Sequence, residues 1–585
     1  MLVEEHNFEK AIALIRSSED RIMAIDLETS GLRPYHGDTI AGIAIYAKGM
    51  PFYFPFRHGE GDNLPLEMMN PLRALLSLST IRWVFWNAKF DLQFLLNEGF
   101  PYPHHVEDPM LAAHLMNENE TNFKLKDLGV KYIGVDAKDE QIELVDELQR
   151  RGLGKGSIGA LPASLVVQYA EQDVKLTYAL RQFYVKHLKT WGIYDLWQEF
   201  NVYMRSVVEM ERRGMRIDYN RTVKLMDQSR VGMEKATADL SEMAGYIVNP
   251  NSPKQVSHLL GIKSTAIEIL ETLDTPMVKH VISYRRHSKM RGTYYQKFLE
   301  HSVEEMSADG SKARYTLHPN LNMIGTETGR FSCSNPNLQA LPRGSKDPDD
   351  PRNLVKQSFI ARPGFVLVQA DYKQAEVYLG AHYAQAQGLI DMINSGRDIH
   401  TETANQLKID RYAAKRMNFA MQYGIGAEAL AEDLRANGLD VSARDAAGYI
   451  KAYNRLHPEM TRMYRALEKE AKQNGIIRMF TGRIKHYGLA RGRQPEYHKA
   501  SSNLIQGGVG ELMRIASTNL QRVLFSEGVY QLMHVHDSIL FEIPEDKQQW
   551  LVPAIKEIMT DFSNFKFTVK FQVDVAVGKR WSDLK

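Results

Sequence analysis

What this sequence has little of is the first guide to it. One cysteine, Cys333, stands in 585 residues, which excludes an internal disulfide framework and suits a reducing compartment. There is no excess of charge of either sign. Lys and Arg number 73 against 71 Asp and Glu, a formal net charge of +2, so any surface that attracts a polyanion must be local. No window carries enough uncharged apolar residues for a membrane span. The first residues, MLVEEHNFEKAIALIRSSED, are acidic and helix-like, without the basic leader or long apolar core of a signal or transit peptide. Internal repeats and low-complexity tracts are missing as well, and the clearest polar loop is LPRGSKDPDDPRN, residues 341–353. What remains is an ordinary globular composition in a chain long enough for about three or four domains.

The chain is organised around GFVLVQADYKQAEVYLG, residues 364–380. The apolar run Phe365 to Val368 predicts a strand buried on both faces that delivers Asp371 and then Glu376. A second strand is predicted in QLMHVHDSILFEIP, carrying the chain into His536 and Asp537. Either aspartate alone would more often serve a turn. Two carboxylates at adjacent strand ends, however, suit hard divalent cations, which take oxygen ligands and clamp the attacking and leaving oxygens of a phosphoryl transfer.

Between them lies DRYAAKRMNFAMQYGIG. At 100° per residue, Arg411, Lys415, Asn418, Phe419, Gln422 and Tyr423 fall within an arc of about 120°, while Ala413, Met417, Ala420 and Met421 cluster opposite as core. A basic amphipathic helix is usually a solvated surface. Here two cations four residues apart suit a triphosphate tail, and two rings beyond them suit stacking on a base and sugar. DIHTETANQ brings His400 to a preceding helix start.

The amino-terminal third carries its own acidic set. RIMAIDLETSGL predicts a strand, Ile22 to Ile25, ending in Asp26 and Glu28, whose i and i+2 spacing lets both bite one metal. Asn87 and Asp91 stand four apart where a strand gives way to a helix, and Tyr169 and Asp173 share a helical face at i and i+4. Singly each pair would pass for a cap or a solvated face. Together, four acidic ligands and a tyrosine to orient an activated water are the inventory for two-metal hydrolysis of a phosphodiester. From Asp195 to Ala244 the spacing is helical with one loop at RRGMRIDYN. YRRHSKMRGTYYQKF, residues 284–298, interleaves cations with aromatics; such a run is usually a solvated amphipathic helix, and followed by TETGRFSCSNPNLQALPRG it becomes a candidate for gripping a duplex backbone.

In order and context, Asp26-x-Glu28, Asn87-x-x-x-Asp91 and Tyr169-x-x-x-Asp173 resemble the proofreading 3′→5′ exonuclease domain attached to many DNA polymerases, with no departure from that pattern. TGRFSCSNPNLQALP resembles the thumb-to-palm segment of the DNA polymerase I family, family A, which implies that Arg330 lies along the minor groove near the primer end, with Asn337 and Gln339 in the matching Asn-Leu-Gln. Arg411-x-x-x-Lys415-x-x-x-Phe419-x-x-x-Tyr423-Gly matches that family's fingers helix. IIRMFTGRIKHYG resembles its fingers-to-palm connection, with Arg478 and Arg483 available to the template, and NLIQGGVGELM a palm helix whose Gln506 contacts the minor groove. Two motifs depart. The usual His-Asp-Glu is His536, Asp537 and Ser538, and the usual Asp-Tyr-Ser-Gln-Ile-Glu is Asp371, Tyr372, Lys373, Gln374, Ala375 and Glu376.

The resemblance implies a multidomain chain of α/β and α+β architecture: a ribonuclease-H-like exonuclease domain over 1–187, then a right-hand polymerase with thumb and the start of the palm over 188–342, palm over 343–390, fingers over 391–495 and palm again over 496–585. It implies two Mg²⁺ at each active site, with Mn²⁺ able to substitute: on Asp371 and Asp537 in one, on Asp26, Glu28, Asp91 and Asp173 in the other, where Tyr169 assists. Arg411 and Lys415 would hold the triphosphate beside His400, Phe419 and Tyr423 would shape the nascent pair, and Glu376 would fill the space of a 2′-hydroxyl, with Gln374 and His536 also at the substrate. Primer–template DNA and deoxynucleoside triphosphates are the implied partners, with replisome proteins beyond them. A cytoplasmic, bacteriophage-like monomer without a preceding 5′-nuclease domain is expected. The rivals are a stand-alone exonuclease whose remainder only binds nucleic acid and a non-catalytic replication accessory protein; a single-subunit RNA polymerase is disfavoured by Glu376 and by the exonuclease set.

Overall fold

The computed structural model describes every residue except 62, 136–138, 155, 307–312, 346, 423, 437, 489–493 and 585, and for 139–141, 313 and 422 the backbone alone. The chain divides into two compact units, Met1–Val208 with Leu467–Leu504, and Glu209–Ala466 with Ile505–Lys585. Among the described residues no helix is long and apolar enough to cross a membrane.

The first unit is built on a five-stranded sheet in the order Met50–Pro55, Ile40–Ala47, Ile22–Thr29, Arg82–Val84, His105–Glu107. The first three strands run antiparallel to one another, and the last two parallel to the central one. The central strand is longer than Ile22 to Ile25: it continues to Thr29, so Asp26 and Glu28 lie inside it rather than beyond it. Pairing to Ala44 and Gly42 across the ladder keeps both carboxylates on one face. The helix Ala163–Trp191 packs on this sheet through Val166, Ala170 and Val174 against Ala24, Ala44 and Val84. Alanines on both partners allow a close approach, and that brings the neighbouring positions 169 and 173 down to the acidic strand.

Residues 467–504 belong to the same unit. Their ribbon Ile476–Arg478 with Ile484–His486 is held by Glu118, whose carboxylate accepts from the His486 backbone N–H at 2.8 Å and lies 3.0 Å from Lys485 Nζ. One expectation fails here. Arg483 is not available to a template: it is buried, with its guanidinium 5.9 Å from the centre of the Phe200 ring. Arg478 is exposed and reaches the Trp191 carbonyl at 3.5 Å.

In the second unit the helical run splits as expected at Gly214, but the interruption is a strand, Met215–Ile217, on a three-stranded sheet with Ala313–Leu317 and Ser302–Met306. Gly214 takes φ +60, and a Cβ there would stand 2.5 Å from the Leu317 carbonyl oxygen, so the close approach needs glycine. Residues 284–298 cross a helix, Pro276–Lys289, a π-helical stretch, Met290–Tyr295, and a further helix, Gln296–His301. A four-stranded antiparallel sheet follows, in the order Tyr530–Val535, Ser538–Pro544, Phe365–Tyr372, Val573–Gly578. Beneath it the fully buried Glu542 accepts from Arg213 Nε at 2.8 Å and the Arg362 backbone N–H at 2.7 Å, and pairs with Arg362 Nη1 at 3.1 Å. The helix Arg411–Gln422 turns Ala413, Met417 and Met421 into a core with Leu430, Leu434 and Tyr453, the apolar side its spacing predicts.

Candidate active sites

Each unit gathers one set of carboxylates. In the first, Asp26 and Glu28 come from the central strand, Asp91 from the first turn of the helix Ala88–Asn97, and Asp173 from Ala163–Trp191. The turn that sets Asp91 is built by Asn87 at φ +64 and by Asp108, whose carboxylate accepts the backbone N–H of Asn87 at 3.2 Å and of Ala88 at 3.0 Å. Burial followed by mutual repulsion pushes the acids upward. Asp26 is raised by burial and then by Asp173, Glu28 by burial and then by Asp26 and Asp173, and Asp91 by burial and then by Asp26 and Asp108. Tyr169 is raised by burial and then by Asp173, Glu28 and Asp26, which places its hydroxyl at the same centre.

This donor set suits a hard divalent cation: four carboxylates with excess negative charge, and a buried Glu28 Oε1 with no hydrogen-bond partner. Among the described residues no three Asp, Glu, His or Cys side chains are drawn tightly enough to enclose an ion as they stand. A cation is present nonetheless. Lys126, from the helix Leu125–Ile133, is buried with its Nζ 3.1 Å from Asp173 Oδ1.

In the second unit the antiparallel register brings the two predicted strand ends together. Asp371 pairs directly with Ser538 on one side and with Asp574 on the other. Asp537 lies in the two-residue turn after Val535, with His536 at φ +55, and its carbonyl accepts the Tyr372 backbone N–H at 3.1 Å. Asp371, although open to solvent, is pushed up to about 6 by partial burial and then by Asp537 and Asp574, and burial also raises Asp537 against the pull of Arg330. Such a surplus of negative charge again fits a divalent cation.

Arg330 lies on these acids: its Nη2 donates to Asp537 Oδ1 at 2.9 Å and to Glu376 Oε1 at 3.0 Å. Its segment is fixed from two directions. A Cβ at Gly510, one turn after the half-buried Gln506 on the helix Ala500–Leu524, would stand 3.2 Å from the Thr328 carbonyl oxygen. Phe331 stacks on His534 at 4.6 Å, and Gln339 Nε2 donates to the His534 carbonyl at 2.9 Å.

Two of the residues that depart from the resembled motifs have polar partners. Ser538 Oγ donates to the Val535 carbonyl at 2.8 Å and so closes the turn that carries Asp537. Lys373 Nζ lies 3.0 Å from Asp574 Oδ1, where it offsets the carboxylate facing Asp371. Gln374, at φ +47, starts the helix that carries the buried Glu376, and its Oε1 is buried without a hydrogen-bond partner.

The helical pair Ile399–Leu407 and Arg411–Gln422 carries a third group. His400 is buried, its Nδ1 3.0 Å from Asn418 Nδ2 and its ring 5.8 Å from Phe419. Burial first, then Lys415 and Arg411, push it down to about 4, so it is neutral at pH 7. Asn418, on the polar arc by its spacing, turns into the seam between the helices, where His400 and Thr403 supply its polar partners. Arg411 and Lys415 are exposed, and Arg411 Nε donates to Asp398 at 2.9 Å. Tyr423 lies outside the described residues.

Comparison with known proteins adds an independent line. Residues 220–583 match a family model described as DNA polymerase family A, and residues 2–189 match one described as 3′-5′ exonuclease. The DNA polymerase I of Synechocystis sp. is 27% identical over 96% of this chain and 60% of its own, and that of Chloroflexus aurantiacus 25% identical over 96% and 61%. The thermostable DNA polymerase I of Thermus filiformis is 29% identical over 65% of this chain and 47% of its own. The chain thus spans roughly half to three fifths of the length of these curated relatives. The fold is similar, at a TM-score of 0.82 and 21% identity, to the POL domain of Pol1 from M. smegmatis in complex with DNA primer-template and dNTP, covering 100% of this chain and 99% of that one.

Proposed function

Because this chain belongs to DNA polymerase family A, with an exonuclease-type region ahead of its polymerase region, we propose that it extends a primer 3′ end along a DNA template and trims that end 3′→5′ at a second centre. The observation that carries this reading is the register that sets Asp371 beside the Asp537 turn, inside the region matched to the polymerase family. A separate acidic centre lies inside the region matched to the exonuclease.

In the polymerase region, Asp371 and Asp537 would hold Mg²⁺, which supplies charge neutralisation for the primer 3′-hydroxyl and the leaving pyrophosphate. The chain's own contribution is positioning. The exposed cations Arg411 and Lys415 bind the triphosphate oxygens, as fork and as point charge. The neutral His400, fixed by Asn418, donates or accepts one hydrogen bond at their side without adding charge. Phe419 and Tyr423 frame the base pair, and Glu376, buried at the helix start, closes the space a 2′-hydroxyl would need. Gln506, Gln374, His536 and Arg330 line the primer side.

In the exonuclease region, Asp26, Glu28, Asp91 and Asp173 would hold the Mg²⁺, and Tyr169 would orient the attacking water. Residues 188–342 would form the thumb and the start of the palm, 343–390 the palm, 391–495 the fingers and 496–585 the palm again. A monomer working in a reducing cytoplasm fits the one buried thiol, Cys333. A labelled primer annealed to a longer template, incubated with each nucleotide type with and without Mg²⁺, tests this. Template-directed growth with deoxynucleotides is expected, and shortening without growth would leave only the exonuclease.

A further inference from the structure

Lys126 is a lysine where lysine is rarely found. Its side chain is 7% exposed, Asp173 beside it is 9% exposed, and the two are 3.1 Å apart. The same ammonium stands 3.8 Å from the centre of the Tyr169 ring, and its charge favours the ionised forms of Asp26 and Glu28. Yet none of its donors meets an acceptor in hydrogen-bonding alignment. An ammonium has three donors, and leaving them unused in a buried place is costly. Packing explains how it comes to be there. Three residues along the helix a Cβ on Gly129 would stand 2.7 Å from Leu176 Cδ1, so Leu125–Ile133 lies hard against Ala163–Trp191 and residue 126 is driven toward residues 169 and 173. Four carboxylates gathered out of water repel one another unless a cation lies among them.

We propose that Lys126 is the built-in counter-cation of the acidic centre: a positioning residue that holds Asp173 and Tyr169 in place without a divalent ion and yields Asp173 when one binds. The ammonium and a divalent ion therefore compete for one carboxylate. The lysine lowers the centre's affinity for metal and keeps the metal-free fold intact, so the site empties and refills without collapsing. The consequence for trimming rests on the exonuclease reading above; the competition itself does not.

The test uses the full chain carrying Asp371→Asn and Asp537→Asn, which silence the other acidic pair, with and without Lys126→Met. Mn²⁺ is titrated calorimetrically, and thermal midpoints are measured in EDTA and in saturating Mn²⁺. Lys126→Met is expected to bind Mn²⁺ about tenfold more tightly. Its midpoint should fall in EDTA, and most of the gap should close when Mn²⁺ is added. Lys126→Arg, which keeps the charge, should hold the parent affinity. Lys126→Gln serves in place of Met if the latter does not fold. Unchanged or weaker Mn²⁺ binding, an equal loss of midpoint with and without Mn²⁺, or a parent that binds no Mn²⁺ at this centre would each overturn the proposal. A parent that binds Mn²⁺ in this way but trims no DNA would instead sink the exonuclease reading and leave the counter-cation standing.

Discussion

The two acidic centres neutralise themselves in opposite ways. In the amino-terminal unit the carboxylates project from the middle of a sheet and from two helices packed on it, they are largely desolvated, and a lysine without hydrogen-bond acceptors lies among them. In the second unit Asp371 and Asp537 stand where strands end, Asp371 open to solvent, and an arginine bridges Asp537 and the helix-borne Glu376 with aligned hydrogen bonds. The buried centre holds a point charge and the open one a fork: the lysine meets Asp173 as a charge alone, whereas the guanidinium keeps two of its donor contacts matched to carboxylates.

If the open centre performs synthesis, Asp371→Asn removes one of the two charges facing its metal. Extension should fall by several powers of ten, since the loss asked of a metal-site charge is several kcal/mol and each 1.36 kcal/mol is about tenfold. Trimming, measured on the same primer without nucleotides, should be unchanged. Loss of both activities would erase the distinction between the centres.

A buried carboxylate outside both centres sharpens the comparison. Glu542 is enclosed with Arg213 and Arg362. Glu542→Ala leaves two guanidinium groups short of their partner and should cost about 3–5 kcal/mol. Denaturant unfolding followed by hydrogen exchange should show that loss in strands Phe365–Tyr372 and Ser538–Pro544, with Ile22–Thr29 unaffected. A uniform loss across both units would contradict their separate description.

Glu376→Ala should relax sugar selection by roughly tenfold or more, because it removes both the bulk and the acceptor that an incoming 2′-hydroxyl would meet. Single-turnover incorporation of matched deoxy- and ribonucleotides gives the ratio. If it does not move, Glu376 serves Arg330 alone.

The smallest expected effect is one of pH. Asp371 is raised from its usual 3.8 to about 6, so the native state holds this proton more tightly than the unfolded chain. Its contribution therefore destabilises progressively as pH rises from about 4 to 6, and metal binding, which needs the ionised form, relieves that cost. With the acids of the first unit's centre removed, Mn²⁺ affinity should fall as pH drops below about 6, with uptake of metal releasing a proton. A flat affinity between pH 5 and 7 would mean that Asp371 is not so perturbed.

Much of this was legible in the sequence where period and spacing coincide. The strand predicted over Ile22 to Ile25 and the apolar run Phe365 to Val368 both lie within observed strands, and only their lengths are short, because a carboxylate facing a site sits on a strand as readily as valine does once it has a partner. The apolar side of Arg411–Gln422 was equally plain from the 3.6-residue period. What escaped notice depends on packing between distant segments. Nothing around Lys126 marks it as enclosed, and the nearest signal is Gly129 three residues on, which permits the close helix contact. Asn418 lies on the polar arc by angle, yet a neighbouring helix covers it. Arg483 resembles a template contact by motif but is enclosed against Phe200. The strand at Met215–Ile217 is three residues long, and only its partner Ala313–Leu317 makes it one.

The most direct test of two centres with two activities is one reaction mixture: Asp26→Ala with Glu28→Ala, a labelled primer on a longer template, Mg²⁺, and samples with and without deoxynucleotides. Extension should persist at close to the parental rate, and 3′ shortening in the absence of nucleotides should vanish. Continued shortening, or loss of extension from a variant whose fold is intact, would contradict the account.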